Sequence, residues 1–282
     1  CTARKFFPEE AKPAIDLLES WGLKVKLGKT IGLDSCQLGG TDTERAADFQ
    51  DQLDNDNIKA IWCARGGYGT VRIIDRIDFS KFKKHPKWVM GFSDVTVLHS
   101  HINTLNVATL HSIMPFTVPK APEPVKETFK NALFGIKNSY TIPSKSYDKK
   151  GVAKGELVGG NLSIIYSLLG SKSSIDTKDK ILFIEDLDEY LYHVDRMLQN
   201  MKRNDYFKNV KGIIVGSMRD MHDNEIPFGQ NEVQLITEIS KELNIPIAFE
   251  FCAGHQKDNR TLVLGSQVVF EVNETEIKLT FE

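Results

Sequence analysis

Three polar residues stand where apolar runs of the sequence stop: Ser93, Glu185 and His255. A serine hydroxyl is a poor nucleophile until a base removes its proton. Histidine is that base near neutral pH, and a carboxylate fixes its tautomer and stabilises the imidazolium. The order Ser…Glu…His is acceptable for such a relay, because geometry and not chain order defines it. Around the serine, the run 87–92 leads through Gly91-Phe92-Ser93-Asp94 into the helix-forming run 95–99. A strand, a sharp turn and a helix would hold the hydroxyl out beside the free N–H groups of the new helix. A plain N-cap serine followed by an acidic residue gives the same local pattern. The chemical reading of Ser93 therefore leans on the rest of the chain.

Other residues compete for these roles. His99 and His101 fall inside the helix after Ser93, where packing or capping is their expected place. His85, His193 and His222 lie in polar surroundings and read as solvated, while His111 ends a neighbouring strand and is a candidate for lining the site. Glu185 comes directly after its apolar run, which suits a partly buried carboxylate better than it suits Asp186. Asp188 and Glu189 suit the start of the next helix. The loop Gly66-Gly67-Tyr68-Gly69 matches neither GxGxxG nor GxxxxGK[ST]. Its glycines let backbone N–H groups come close to a substrate carbonyl, so Gly66, Gly67 and Tyr68 join the candidates. Gly160 and Asn161 open another helix; they would either bind a substrate carboxylate or amide, or form an ordinary turn with an Asn cap. There is no HExxH, no paired His/Asp ligand spacing and no EF-hand loop, so no metal is expected and no cofactor is needed.

The elements that must position these groups alternate. Helices are expected over 8–21, 42–53 (opened by the capping box Thr41-Asp42-Thr43-Glu44), 71–77 and 125–134, with strands over 23–27, 58–63, 87–92 and 107–111. Such alternation argues for an α/β protein with a doubly wound parallel sheet, its active groups at the carboxyl ends of the strands. Four prolines between 115 and 124 and the polar stretch 144–150 mark a connection. Residues 1–118 then form an N-terminal domain, 119–150 the connection and 151–282 a second α/β domain. In the latter, strands are expected over 154–159, 180–184, 212–215 and 246–251, helices over 162–169, 190–202 and 231–243, and a hairpin over 268–281.

The chain is long enough for a real core, and 36 Lys and Arg against 38 Asp and Glu leave a net charge of -2, which argues for neither nucleic acid nor an anionic membrane as partner. No apolar run approaches the roughly 20 residues of a membrane helix. Cys1, Cys36, Cys63 and Cys252 show no CxxC pairing, and Cys63 and Cys252 are expected as buried thiols in a reducing compartment. Cys1 as a lipidated terminus is a weak reading.

Five blocks, Arg65-Gly66-Gly67-Tyr68-Gly69, Gly91-Phe92-Ser93-Asp94-Val95-Thr96, Gly159-Gly160-Asn161-Leu162, Ile184-Glu185-Asp186 with Asp195-Arg196-Met197-Leu198, and Gly254-His255, occur in order along the whole chain. In this it resembles the LD-carboxypeptidase family of serine peptidases, which includes muramoyl-tetrapeptide carboxypeptidases and microcin-C immunity peptidases. The resemblance implies a flavodoxin-like N-terminal domain carrying the serine and a C-terminal domain of swivelling β/β/α type carrying the carboxylate and histidine. It also implies a Ser93–Glu185–His255 triad and oxyanion donors at the N–H groups of Asp94 and Gly67. The implied activity is release of terminal D-alanine from murein tetrapeptides during cell-wall recycling, in a cytoplasmic homodimer without prosthetic group. Two other readings stand beside it. One keeps the triad but takes a peptidyl-nucleotide, stacked on Trp62 or Tyr68; the other is a non-catalytic peptide-binding protein. The chain departs from the family where His-Gly-Pro-Met becomes His111-Ser112-Ile113-Met114, and where the block 259–265 lacks a proline. The family's opening strand and Ser-Pro-Ala turn are expected ahead of Cys1.

Overall fold

The computed structural model describes residues 2–282; the reading of Cys1 lies outside the described residues. Helix α1 (Pro8–Ser20) starts on a proline, whose missing N–H is no loss there, and Glu10 accepts the N–H of Phe7 at 2.9 Å. Helix α2 (Asp42–Asp54) opens on the expected capping box, Thr41 Oγ1 accepting from Glu44 N at 3.2 Å. Strand β1 (Ala60–Trp62), the short α3 (Ser80–Lys84), β2 (Trp88–Gly91), α4 (Thr96–Thr104), β3 (Thr109–His111) and α5 (Glu123–Leu133) follow. Next come β4 (Ser139–Pro143), β5 (Gly151–Asn161), α6 (Leu162–Ser167), β6 (Ile181–Leu187), α7 (Leu191–Arg203), β7 (Gly212–Arg219), α8 (Glu232–Ile239) and β8 (Ile247–Ala248). The chain closes with β9 (Leu262–Leu264), β10 (Ser266–Val272) and β11 (Glu276–Phe281).

Two sheets result. The first has the order β1-β2-β3-β9, with β1, β2 and β3 parallel and β9 antiparallel to β3. The second has the order β4-β11-β10-β5-β6-β7-β8, parallel from β5 to β8 and antiparallel on its other side. Helix α7 lays Val194, Met197, Leu198 and Met201 on one face of the second sheet, all fully buried; each contributes roughly 1.5–3 kcal/mol of transfer free energy. The hairpin of β10 and β11 forms where expected.

Several elements differ from the sequence reading. Residues 23–27 keep an alternating exposure but pair with no strand among the described residues. The stretch read as a helix over 71–77 is two single 3₁₀ turns, Thr70–Arg72 and Ile74–Arg76, too short to reward α-helical nucleation. β4 lies in the span read as a connection yet forms the edge of the second sheet, and β9 leaves the second half of the chain to pair with β3. That excursion matters for the site: β9 brings the preceding loop, with His255, beside β2 and β3.

Candidate active site

Strand β2 ends at Gly91, and Ser93 follows with φ of +63°, a left-handed conformation costly for a side chain with a Cβ. The turn therefore aims the hydroxyl away from the sheet, as a strained elbow does. Gly91 has φ +148°, and a Cβ there would lie 2.9 Å from Val95 Cγ2, so glycine is what lets the chain turn so soon. Across from the serine, a Cβ on Gly66 would sit 3.1 Å from Ser93 Oγ and 3.5 Å from Asp94 N. The bare backbone of the glycine loop thus presses on the hydroxyl. Among the described residues no hydrogen bond takes the N–H of Asp94 or of Gly67, which leaves both free to donate.

The loop is pinned from two sides. The buried Asp94 carboxylate accepts the Thr70 N–H at 2.9 Å; burial pushes its carboxyl above the ordinary range, while that hydrogen bond pulls the other way. Behind the loop lies Arg45 of α2, fully buried, donating to the carbonyls of Gly69 (2.9 Å), Gly40 (3.2 Å) and Thr2, and paired with Asp42. Sequence reasoning missed this residue: a lone arginine in an amphipathic helix reads as part of the solvated face.

Glu185 lies inside β6, at an irregularity in the β6–β7 register, and is fully buried. Its Oε2 meets His255 Nδ1 at 2.6 Å and accepts the His255 N–H at 3.1 Å. A carboxylate held on Nδ1 makes that nitrogen the donor and leaves Nε2 for a substrate or the serine. Burial is the largest single influence and works against the imidazolium, but the Glu185 charge, its hydrogen bond and the Asp186 charge together outweigh it, so the pKa of His255 lies above its ordinary value. The ring packs at 4.8 Å from that of Phe92, the residue before Ser93. Gly254 makes the approach possible: a Cβ there would stand 2.8 Å from Glu185 Oε2, and its φ is +104°.

Ser93, His255, Gly66 and Gly67 line one cleft of about 900 Å³, together with Ile113, Met114 and Asn259 from the blocks where the sequence departs from the family pattern. Among the described residues no hydrogen bond joins Ser93 Oγ to His255; contacts of this kind commonly tighten only with substrate in place.

The remaining candidates fall elsewhere. His111 is fully buried with both ring nitrogens unpartnered, its ring 5.9 Å from Phe92 and 5.0 Å from Phe183, and burial holds it well below the usual histidine pKa. It lies behind the cleft and does not line it. Gly160 and Asn161 are buried as well. Asn161 caps α6, donates its side-chain amide to Asp186 at 2.8 Å and its backbone N–H to Thr96 Oγ1 at 3.0 Å. They join the second sheet to α4, and the capping alternative for this pair is what the structure contains. Asp186 is pushed up to about 7, by burial first and the Glu185 charge second. Tyr68 is outside the cleft lining, and Trp62 donates its indole N–H to the Ile113 carbonyl at 2.7 Å beside Phe129, so neither forms the stacking platform that the nucleotide reading expects. His193 and His222 are paired with Glu189 and Asp188, both at 2.5 Å, where solvation alone was expected. Among the described residues no group of three or more His, Cys, Asp or Glu is arranged to hold a metal.

Comparison with known proteins identifies the family. Residues 1–112 match the LD-carboxypeptidase N-terminal domain and residues 154–270 its C-terminal domain. The chain belongs to the LD-carboxypeptidase family. As a member it is a hydrolase of the carboxypeptidase class. It is 36% identical, over 95% of its length and 86% of the relative's, to the probable murein peptide carboxypeptidase of Bacillus subtilis. It is 25% identical, over 91% of its length and 86% of the relative's, to the murein tetrapeptide carboxypeptidase of Pseudomonas aeruginosa. The crystal structure of muramoyltetrapeptide carboxypeptidase from Oxalobacter formigenes superposes with a TM-score of 0.89 at 25% identity, covering 99% of this chain and 97% of that one. MccF in complex with glutamyl sulfamoyl guanosine shares the fold, with a TM-score of 0.85 at 22% identity over 97% and 91% of the two chains. The two-sheet α/β architecture is shared with both of these structures.

Proposed function

We propose that the protein is a serine carboxypeptidase that removes the terminal D-alanine of murein tetrapeptides, with Ser93 as nucleophile, His255 as general base and acid, and Glu185 as its partner. The observation that carries the reading is the Glu185–His255 contact of 2.6 Å, opening on the same cleft as a serine held at φ +63°. The names of the relatives at 36% and 25% identity support the substrate.

In this mechanism His255 Nε2 takes the proton of Ser93 Oγ as the oxygen attacks the carbonyl before the D-residue. The N–H groups of Asp94 and Gly67 receive the oxyanion. Glu185 holds Nδ1–H and stabilises the imidazolium. His255 then protonates the leaving amine and later activates water to free the acyl group. The serine would belong to an N-terminal unit over 1–118, and Glu185 and His255 to a unit over 151–282, the two meeting at the cleft. A cytoplasmic homodimer acting on small peptides, without nucleic acid, completes the proposal; no described helix is long and apolar enough to cross a membrane.

The experiment is product analysis with a murein tetrapeptide, comparing the protein with Ser93→Ala. Release of free D-alanine by the former and a loss of several orders of magnitude in the latter are expected. Undiminished release by Ser93→Ala would overturn the assignment.

A further inference from the structure

A carboxypeptidase must read a free terminal carboxylate as well as cut a bond, and none of the groups assigned so far does so. The cleft contains five cations, of which Arg219 is paired with Asp220 at 3.4 Å and Lys120 and Lys257 are exposed. Arg65 differs from these. Its side chain is 24% exposed, and its guanidinium carbon lies over the Phe116 ring, 4.1 Å from the centroid. The carboxylate nearest to it, Glu10, stands 4.0 Å away. Arg4 has no carboxylate within ion-pair distance among the described residues, and its side chain packs against Gly67, where a Cβ would lie 3.1 Å from Arg4 Cβ. Burial, and then the Arg4 charge, hold the Arg65 pKa below its ordinary value, yet a guanidinium stays charged at any working pH.

Arg65 is a partly buried cation with only a distant counter-charge, and the exposed Arg4 adds a like charge beside it, a standing electrostatic cost that an incoming anion relieves. Position says which anion. Arg65 directly precedes Gly66, the residue pressed against Ser93 Oγ, and Arg4 touches Gly67. Both cations therefore line the same cleft as Ser93, on the side of the glycine loop that presses on its hydroxyl. In a carboxypeptidase substrate, the group one residue beyond the scissile carbonyl is the terminal carboxylate.

We infer that Arg65, with Arg4 beside it, receives the free carboxylate of the leaving C-terminal residue and thereby restricts the enzyme to cutting at chain ends. This rests on the catalytic reading of Ser93. The contact with Phe116 restricts where the guanidinium lies, so its fork can meet the carboxylate in a bidentate manner with less further ordering.

The test compares kcat/KM for a murein tetrapeptide acid and for its C-terminal amide, in the wild type and in Arg65→Ala, Arg65→Lys and Arg4→Ala. The rate of Ser93 labelling by a fluorophosphonate is measured alongside. The wild type should favour the acid by on the order of 10²-fold. Arg65→Ala should lose that preference by slowing on the acid alone, Arg65→Lys should retain part of it, and Arg4→Ala should weaken it. Labelling, which needs no carboxylate, should stay unchanged in all three. Equal loss on acid and amide, or a wild type indifferent to the two, would overturn the inference while labelling shows the nucleophile intact. Absence of both labelling and turnover in the wild type would instead sink the catalytic reading, and this inference with it.

Discussion

Glu185 Oε2 accepts two hydrogen bonds from one residue, the ring Nδ1–H of His255 at 2.6 Å and its backbone N–H at 3.1 Å. The double contact fixes both the ring and the loop that carries it, and it sets the direction of titration. His255 must be neutral to act as a base, and its pKa lies above the ordinary value because the Glu185 charge, its hydrogen bond and the Asp186 charge together outweigh burial, the largest single influence. The acidic limb of kcat/KM should therefore fall above pH ~6.5, with activity rising as pH passes through it. Glu185→Gln removes the charge and should move that limb downward while lowering kcat by about 10³–10⁴-fold. A pH–rate profile of both proteins is the check; an unmoved limb would separate it from His255.

Arg45 shows how a residue remote from the cleft acts on it. Arg45→Ala leaves the carbonyls of Thr2, Gly40 and Gly69 without their donor and Asp42 without one of its partners. We expect a loss of about 3–5 kcal/mol in chemical denaturation, as for a broken buried pair. At temperatures where the variant stays folded, kcat should fall more than KM rises, because the loosened loop carries the oxyanion donor proposed at Gly67. Arg45→Lys should recover part of the stability. Unchanged kcat in a folded variant would show that the clamp serves the fold alone.

Two glycines distinguish site from scaffold. A Cβ at Gly254 would stand 2.8 Å from Glu185 Oε2, and one at Gly160 would stand 2.6 Å from Thr96 Oγ1. Gly254→Ala should cut kcat by about 10²-fold or more by displacing the relay. Gly160→Ala should act on stability, lowering Tm by several degrees with KM unchanged. Steady-state kinetics beside thermal melts would decide; a raised KM in Gly160→Ala would restore that residue to substrate binding.

The legible parts of the chain were those where chemistry and local structure coincide. Ser93 combines an apolar run, a sharp turn and a helix start, and Glu185 and His255 each close an apolar run. The α2 capping box and the buried face of α7 are equally local, so periodicity and capping rules reach them. Partnership across the chain was less accessible. Alternation marks 23–27 as strand-like, but a strand needs a neighbour, and none lies beside it among the described residues. Leu262-Val263-Leu264 is an apolar run in the sequence, and nothing local to it says that it pairs with β3. Gly160 and Asn161 read equally as ligand or cap, because the contact that makes them structural comes from Thr96, 65 residues away. Arg45 and Arg65 look like any surface arginine until the fold buries one and stacks the other.

The central claim is that Ser93 is made nucleophilic by His255. Its most direct measurement is fluorophosphonate labelling followed by peptide mapping, across pH, in the wild type and in His255→Ala. The account predicts a single adduct on Ser93, with a labelling rate that climbs as His255 loses its proton and collapses in His255→Ala. An adduct on another residue, or equal labelling of Ser93 with and without the imidazole, would contradict it.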